Sequence, residues 1–82
     1  RTLEDDKRVV YFLHICSASC GSSIPYTHEQ IAAITSMSRV SVTRILKQFR
    51  EAGILRQSYR RIEILDEQRL MEVFDFLGYF LD

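Results

Sequence analysis

A mainly α fold with a small β-hairpin is what the chain predicts, on three observations. Residues 27–52 carry two capped helical segments joined by three residues. Residues 54–64 hold two short runs in which apolar and polar side chains interleave. The charge is segregated, with seven Lys and Arg against Glu51 alone in residues 39–61, a net of +6. Residues 62–82 carry a net of −5 and residues 1–38 a net of −1, so an overall charge of zero hides one basic block. Two helices in tight succession with a hairpin after them make a winged helix-turn-helix. A basic block on the second helix and the hairpin is an electrostatic footprint for a polyanion, the alternative being an ordinary solvated surface.

The first helix is expected over residues 2–20. Thr2 can cap it, and Glu4, Asp5 and Asp6 suit the positive end of a helix dipole. Val9, Val10, Phe12, Leu13 and Cys16 form its apolar stripe, and Gly21 is its stop. Pro25 bars a helix at Ile24-Pro25-Tyr26 and suits a short edge strand or an extended lead-in, with Tyr26 in the core. Thr27-His28-Glu29-Gln30 has the form of a capping box. In the short helix that follows, Ala32 and Ala33 allow another helix to come close, and Thr35-Ser36-Met37 is the connection. Ser38 then caps the second helix, and Gly53 suits its left-handed exit. Val42, Ile45, Leu46 and Phe49 recur at i, i+3, i+4, i+7, while Arg39, Val40, Thr43, Arg44 and Lys47 occupy the other face. That division is the make-up of a recognition helix, packed by one face and laid in a DNA major groove by the other.

The wing, residues 54–64, is expected to carry Arg56, Arg60 and Arg61 around a tip at Ser58-Tyr59. Tight hairpin turns favour Gly or Asn at their centre, so Tyr59 predicts a less regular loop. Asp66 can cap a last helix over 66–81, with Glu67 in its first turn. From Leu70 to Leu81 that helix holds nine apolar side chains, more than one side of a helix on a small domain can bury. It is either a covered terminal helix or a docking surface. The alternative function is therefore a winged-helix protein-interaction module that docks through this helix.

Eighty-two residues allow one domain with a modest core. The chain begins at Arg1 rather than Met, which suggests a piece of a longer protein. No apolar run approaches the roughly 20 residues that span a membrane, and no signal-peptide pattern is present, so the expected location is cytoplasmic. Cys16 and Cys20 are four apart, but nothing supplies a full ligand set, and ordinary packing is the favoured reading over a thiol or metal sensor. His14 and His28 read as structural or surface residues. No nucleophile–base constellation, carboxylate pair or glycine-rich phosphate loop is present, so neither an enzyme nor a cofactor or metal site is expected in this domain.

Thr27-His28-Glu29-Gln30-Ile31-Ala32, then Ser38-Arg39-Val40-Ser41-Val42-Thr43-Arg44-Ile45-Leu46, then Gly53-Ile54-Leu55 resembles the winged-helix DNA-binding domain of the Crp/Fnr family of bacterial transcription regulators. The motif covers about residues 24–65, and the flanking helices have counterparts in the family. The resemblance implies the C-terminal domain of a regulator whose N-terminal part, absent here, binds an effector and dimerises. It implies a homodimer on a two-fold symmetric DNA operator, and it raises RNA polymerase as a partner. Arg39 and Arg44 match the family's DNA-reading arginines, and Ser41 its small hydroxyl residue. On this basis Arg39, Val40, Ser41, Thr43 and Arg44 are the candidate base contacts. Thr27, Ser38, Lys47, Arg56, Tyr59, Arg60 and Arg61 are the candidate phosphate contacts. Two departures stand out. Val40 replaces a common Glu, so a thymine methyl is a better match than a cytosine amino group. Ser36 replaces a common Gly in the turn, which predicts mild strain there.

Overall fold

The computed structural model describes residues 3–72. Helix α1 runs Leu3–Cys20, strand β1 Ser23–Ile24, helix α2 His28–Thr35, helix α3 Arg39–Glu51, and strands β2 and β3 Leu55–Ser58 and Arg61–Ile64. Residues 67–72 are again helical. The remainder of the expected last helix, from Val73 to Leu81, lies outside the described residues, as does the cap expected at Thr2.

The caps act as the sequence indicates. Gln30 N–H donates to Thr27 Oγ1 at 3.1 Å and Thr27 N–H to Gln30 Oε1 at 2.9 Å, a complete capping box. Ser41 N–H donates to Ser38 Oγ at 3.1 Å at the start of α3. Gly21 and Gly53 leave their helices with φ of 76° and 79°. At the end of α3, Gly53 N–H donates to the Arg50 carbonyl and Ile54 N–H to the Phe49 carbonyl, each at 3.0 Å, which is a Schellman exit. The Ile54 carbonyl in turn accepts from Leu65 N–H at 2.8 Å and Asp66 N–H at 3.3 Å.

Helix α2 ends one residue later than expected. Thr35 is buried in its last turn, with its hydroxyl donating to the Ile31 carbonyl at 2.7 Å. Ser36 then adopts φ 58° and ψ 40°, the left-handed conformation that the family's glycine would take freely. Met37 N–H closes the turn on the Ala32 carbonyl at 2.9 Å.

The hairpin is part of a three-stranded antiparallel sheet in the order β1-β3-β2. Strand β1 ends at Ile24, one residue before Pro25, which has no N–H to give a ladder. Ser58 pairs with Arg61, so Tyr59 and Arg60 form a two-residue connection rather than a longer loop. Arg60 takes φ 56° and Tyr59 does not share it, so the turn departs from the doubly left-handed type I′. The pairing places Leu55, Gln57, Ile62 and Ile64 on one face and Arg56, Ser58, Arg61 and Glu63 on the other. Arg56 is therefore not at the tip, where the sequence put it. It sits opposite Glu63 in the body of the sheet.

Val9, Val10 and Leu13 of α1, Ile31 of α2, and Val42, Ile45, Leu46 and Phe49 of α3 meet Ile24, Ile62 and Ile64 of the sheet in one core. Each such side chain gains about 1.5–3 kcal/mol on burial, against a few tenths for helix propensity, so burial sets how α3 is rotated. Tyr26 packs edge-on against Phe12 with ring centroids 5.7 Å apart. Leu70 is fully buried, and Asp66 caps its helix by accepting from Arg69 N–H at 3.0 Å. Arg8 of α1 donates to the Thr35 carbonyl at 3.2 Å, and Ser17 of α1 to Glu67 at 3.2 Å.

Candidate nucleic-acid interface

With Val42, Ile45, Leu46 and Phe49 turned inward, the stripe two residues behind them must turn outward, because a shift of two residues is about 200° around a helix. Val40, Thr43, Arg44 and Lys47 occupy it and are all exposed, with Val40 at 65%. Arg39 joins them in lining one shallow concavity. Four of the five candidate base contacts are thus brought together.

Ser41 is not with them. It lies on the flank of α3, half-buried, and its Oγ accepts from Ser38 Oγ at 2.9 Å. Its place is at the N-cap corner rather than on the outward stripe. Lys47 lies 3.9 Å from Glu51, but both are more than half exposed, so the pair contributes under about 1 kcal/mol and leaves Lys47 available to an anion.

Beside this stripe an open cleft of about 770 Å³ separates the start of α2 from the wing tip. Thr27, His28 and Gln30 form one wall, Ser58, Tyr59 and Arg60 the other, and Arg39 and Gln57 also line it. Tyr59 is 85% exposed and Arg60 lies over its ring at 5.5 Å, so both project from the tip into solvent. Arg61 is exposed at the start of β3 and donates from Nε to Ser23 Oγ at 2.8 Å.

Arg56 is differently placed. It is ion-paired and hydrogen-bonded to Glu63, which also accepts from Ser58 Oγ at 2.9 Å. These bonds, Arg56 first and then Ser58, hold the Glu63 carboxyl below the usual carboxylate range. Its guanidinium is held by a carboxylate, whereas that of Arg60 at the tip lies over the Tyr59 ring.

His28 was not singled out by the sequence for any role here. Its Nδ1 lies 3.0 Å from Thr43 Oγ1 and its Nε2 2.8 Å from Gln57 Oε1, so one ring joins α2, the outward stripe of α3 and the wing. Gln57 was missed as well. Both partners lie far from His28 in sequence, and only the sheet register turns Gln57 toward the helices.

Cys16 is half-buried against the core and Cys20 exposed, both as free thiols. Burial, with a smaller effect of Cys20, pushes the Cys16 thiol up, away from the reactive thiolate. Among the described residues no group of three or more His, Cys, Asp and Glu is placed to hold a metal ion. No described helix is long and apolar enough to cross a membrane.

The sequence pattern of the Crp-like helix-turn-helix domain matches residues 7–73. No curated protein matches the chain. Among solved structures, a transcriptional regulator of the Crp/Fnr family from Eubacterium rectale is 35% identical with a TM-score of 0.80, over 85% of this chain and 33% of its own. The catabolite activator protein of Thermus thermophilus is 28% identical with a TM-score of 0.78, over 92% of this chain and 36% of its own. The chain thus spans about a third of the length of these relatives. With its two capped helices, its wing and two-thirds or more of its length inside one family pattern, the chain belongs to the Crp-like helix-turn-helix domains of the Crp/Fnr transcription regulators.

Proposed function

We propose that this domain binds double-stranded DNA sequence-specifically, with α3 in the major groove and the wing on the phosphate backbone. The observation that carries the reading is the outward stripe of Val40, Thr43, Arg44 and Lys47, set directly opposite the buried face of α3. A major groove about 12 Å wide admits such a helix. Arg44 is assigned to guanine O6 and N7, Arg39 to a base or a phosphate at the helix start, and Val40 to a thymine methyl. Thr43 and Ser41 offer hydroxyls, Ser41 from the flank.

Thr27, Ser38, Lys47, Tyr59, Arg60 and Arg61 hold phosphate or sugar, which sets affinity and register without reading sequence. Arg56 does so only by sharing its guanidinium with Glu63. In the longer regulator, a homodimer places a second recognition helix about 34 Å away on a two-fold symmetric site. Effector binding belongs to another domain, RNA polymerase is the expected protein partner, the cytoplasm is the setting, and no enzymatic step is assigned.

The test is titration with randomised duplex DNA at low and moderate salt, followed by sequencing of the bound fraction. Steep salt dependence with an enriched half-site is the expected result. Absence of binding at low salt would overturn the reading.

A further inference from the structure

On the reading that α3 lies in a DNA groove, we infer that His28 sets the hydrogen-bonding polarity of Thr43 and so makes the base read there depend on pH. Gln57 fixes the state of the His28 ring. Its amide nitrogen donates to the Ser58 carbonyl at 2.8 Å and to the Arg61 carbonyl at 2.9 Å. Both of its N–H groups are therefore occupied, and the atom it turns to His28 Nε2 at 2.8 Å is the amide oxygen. That oxygen only accepts, so Nε2 must carry a proton. In the neutral ring Nδ1 is then an acceptor, and at 3.0 Å it takes the Thr43 hydroxyl proton.

Thr43 consequently shows the groove only lone pairs, which match the amino groups of adenine or cytosine. When the ring gains its second proton, Nδ1–H donates to Thr43 Oγ1. The Thr43 proton is released toward the groove, where it matches guanine O6 and N7, thymine O4 or adenine N7, but nothing on cytosine. One proton on a side chain that touches no base inverts what a base-facing hydroxyl demands. His28 is in this sense a positioning residue that acts through Thr43.

Imidazole is the side chain that changes charge between about pH 5 and 8. Glu29 on α2, Arg39 on α3, and Tyr59 and Arg60 on the wing share the cleft with His28. Arg44 and Lys47 lie on the Thr43 side. Side chains of these four types ordinarily keep one protonation state across that range, so the change of state falls to the imidazole.

The experiment selects randomised duplexes at about pH 5.5 and about pH 8, at constant ionic strength, with the chain and its His28→Gln and Thr43→Val variants. One hydrogen bond gained or lost corresponds to roughly a threefold to tenfold preference. The wild type should move by that factor from cytosine at high pH to guanine or thymine at low pH, at the position facing Thr43, while adenine, which offers both N6–H and N7, is accepted at both. His28→Gln should keep one preference at both pH values, and Thr43→Val should show no change of preference with pH. A wild type that binds with the same preference at both pH values overturns this inference and leaves the DNA-binding reading intact. Absence of binding to any duplex overturns both. Nitrogen-15 spectra of the free chain give a check without DNA: a neutral ring protonated on Nε2 supports the inference, and one protonated on Nδ1 overturns it.

Discussion

The Arg8 guanidinium donates to the Thr35 carbonyl at 3.2 Å, across 27 residues of sequence and at the point where α2 ends. A helix C-terminus leaves carbonyls unpaired and carries the negative end of the dipole, so a cation there satisfies both. Arg8 also lies 3.6 Å from Glu4, but that pair is too exposed to matter much. Replacing Arg8 with Ala is expected to cost about 1 kcal/mol, the value of a charged hydrogen bond discounted for solvent. A lowered urea midpoint with an unchanged base preference is the expected outcome. An unchanged midpoint would mean that water replaces the guanidinium at no cost.

Ser36 holds the turn between α2 and α3 in the left-handed region at φ 58°. That conformation costs an L-residue about 1–2 kcal/mol, while glycine costs about 0.5–1 kcal/mol in unfolded-state entropy. Strain therefore outweighs entropy, and Ser36→Gly should stabilise the domain by roughly 0.5–1 kcal/mol. Thermal denaturation measures it, and a lower melting temperature would contradict the strain.

Glu63 is held below the usual carboxylate range by Arg56 and, second, by Ser58. A group whose pKa is depressed on folding stabilises the fold above its unfolded value, about 4.3, and loses that contribution as pH falls through the folded value. The stability gap between wild type and Glu63→Gln should therefore narrow as pH drops below about 4.3. The same variant frees Arg56. DNA binding should tighten at low salt, and its logarithmic salt slope should steepen by about one phosphate contact. A slope equal to the wild type's would show that Arg56 does not reach the backbone.

Arg44 and Val40 are neighbours on the outward stripe of α3, and they separate two kinds of readout. Arg44→Ala should lose about 1–3 kcal/mol on the selected site and relax one base pair. An equal loss on every sequence would assign Arg44 to phosphate. Val40→Glu should move the preference at its position from thymine to cytosine, because a carboxylate accepts from the cytosine amino group.

The helix-turn-helix was legible because its signals are local. Thr27, Gln30, Ser38 and Gly53 each act on backbone within a few residues, and the α3 stripe is a spacing along one helix. What escaped depends on register. Arg56 meets Glu63 only because Tyr59 and Arg60 make a two-residue turn, and tyrosine at a turn centre argues against so tight a connection. His28 reaches Thr43 over 15 residues and Gln57 over 29, and no periodicity encodes either pairing. Ser41 differs in another way: its role came from a match to a family position, whereas its place on the flank of α3, hydrogen-bonded by Ser38, follows from the cap.

Ile54 joins the end of α3 to both ends of the wing, through its N–H to Phe49, its carbonyl to Leu65 and Asp66, and a buried side chain. The consequence is mechanical. These bonds tie α3 to the wing, so on the DNA-binding reading proposed above the angle between them would act as a gauge against the duplex. A target whose groove does not fit that gauge would then have to be deformed, at a cost of about 1–6 kcal/mol for bends of tens of degrees. Sequences rich in easily kinked pyrimidine–purine steps would then be favoured at positions that no side chain touches.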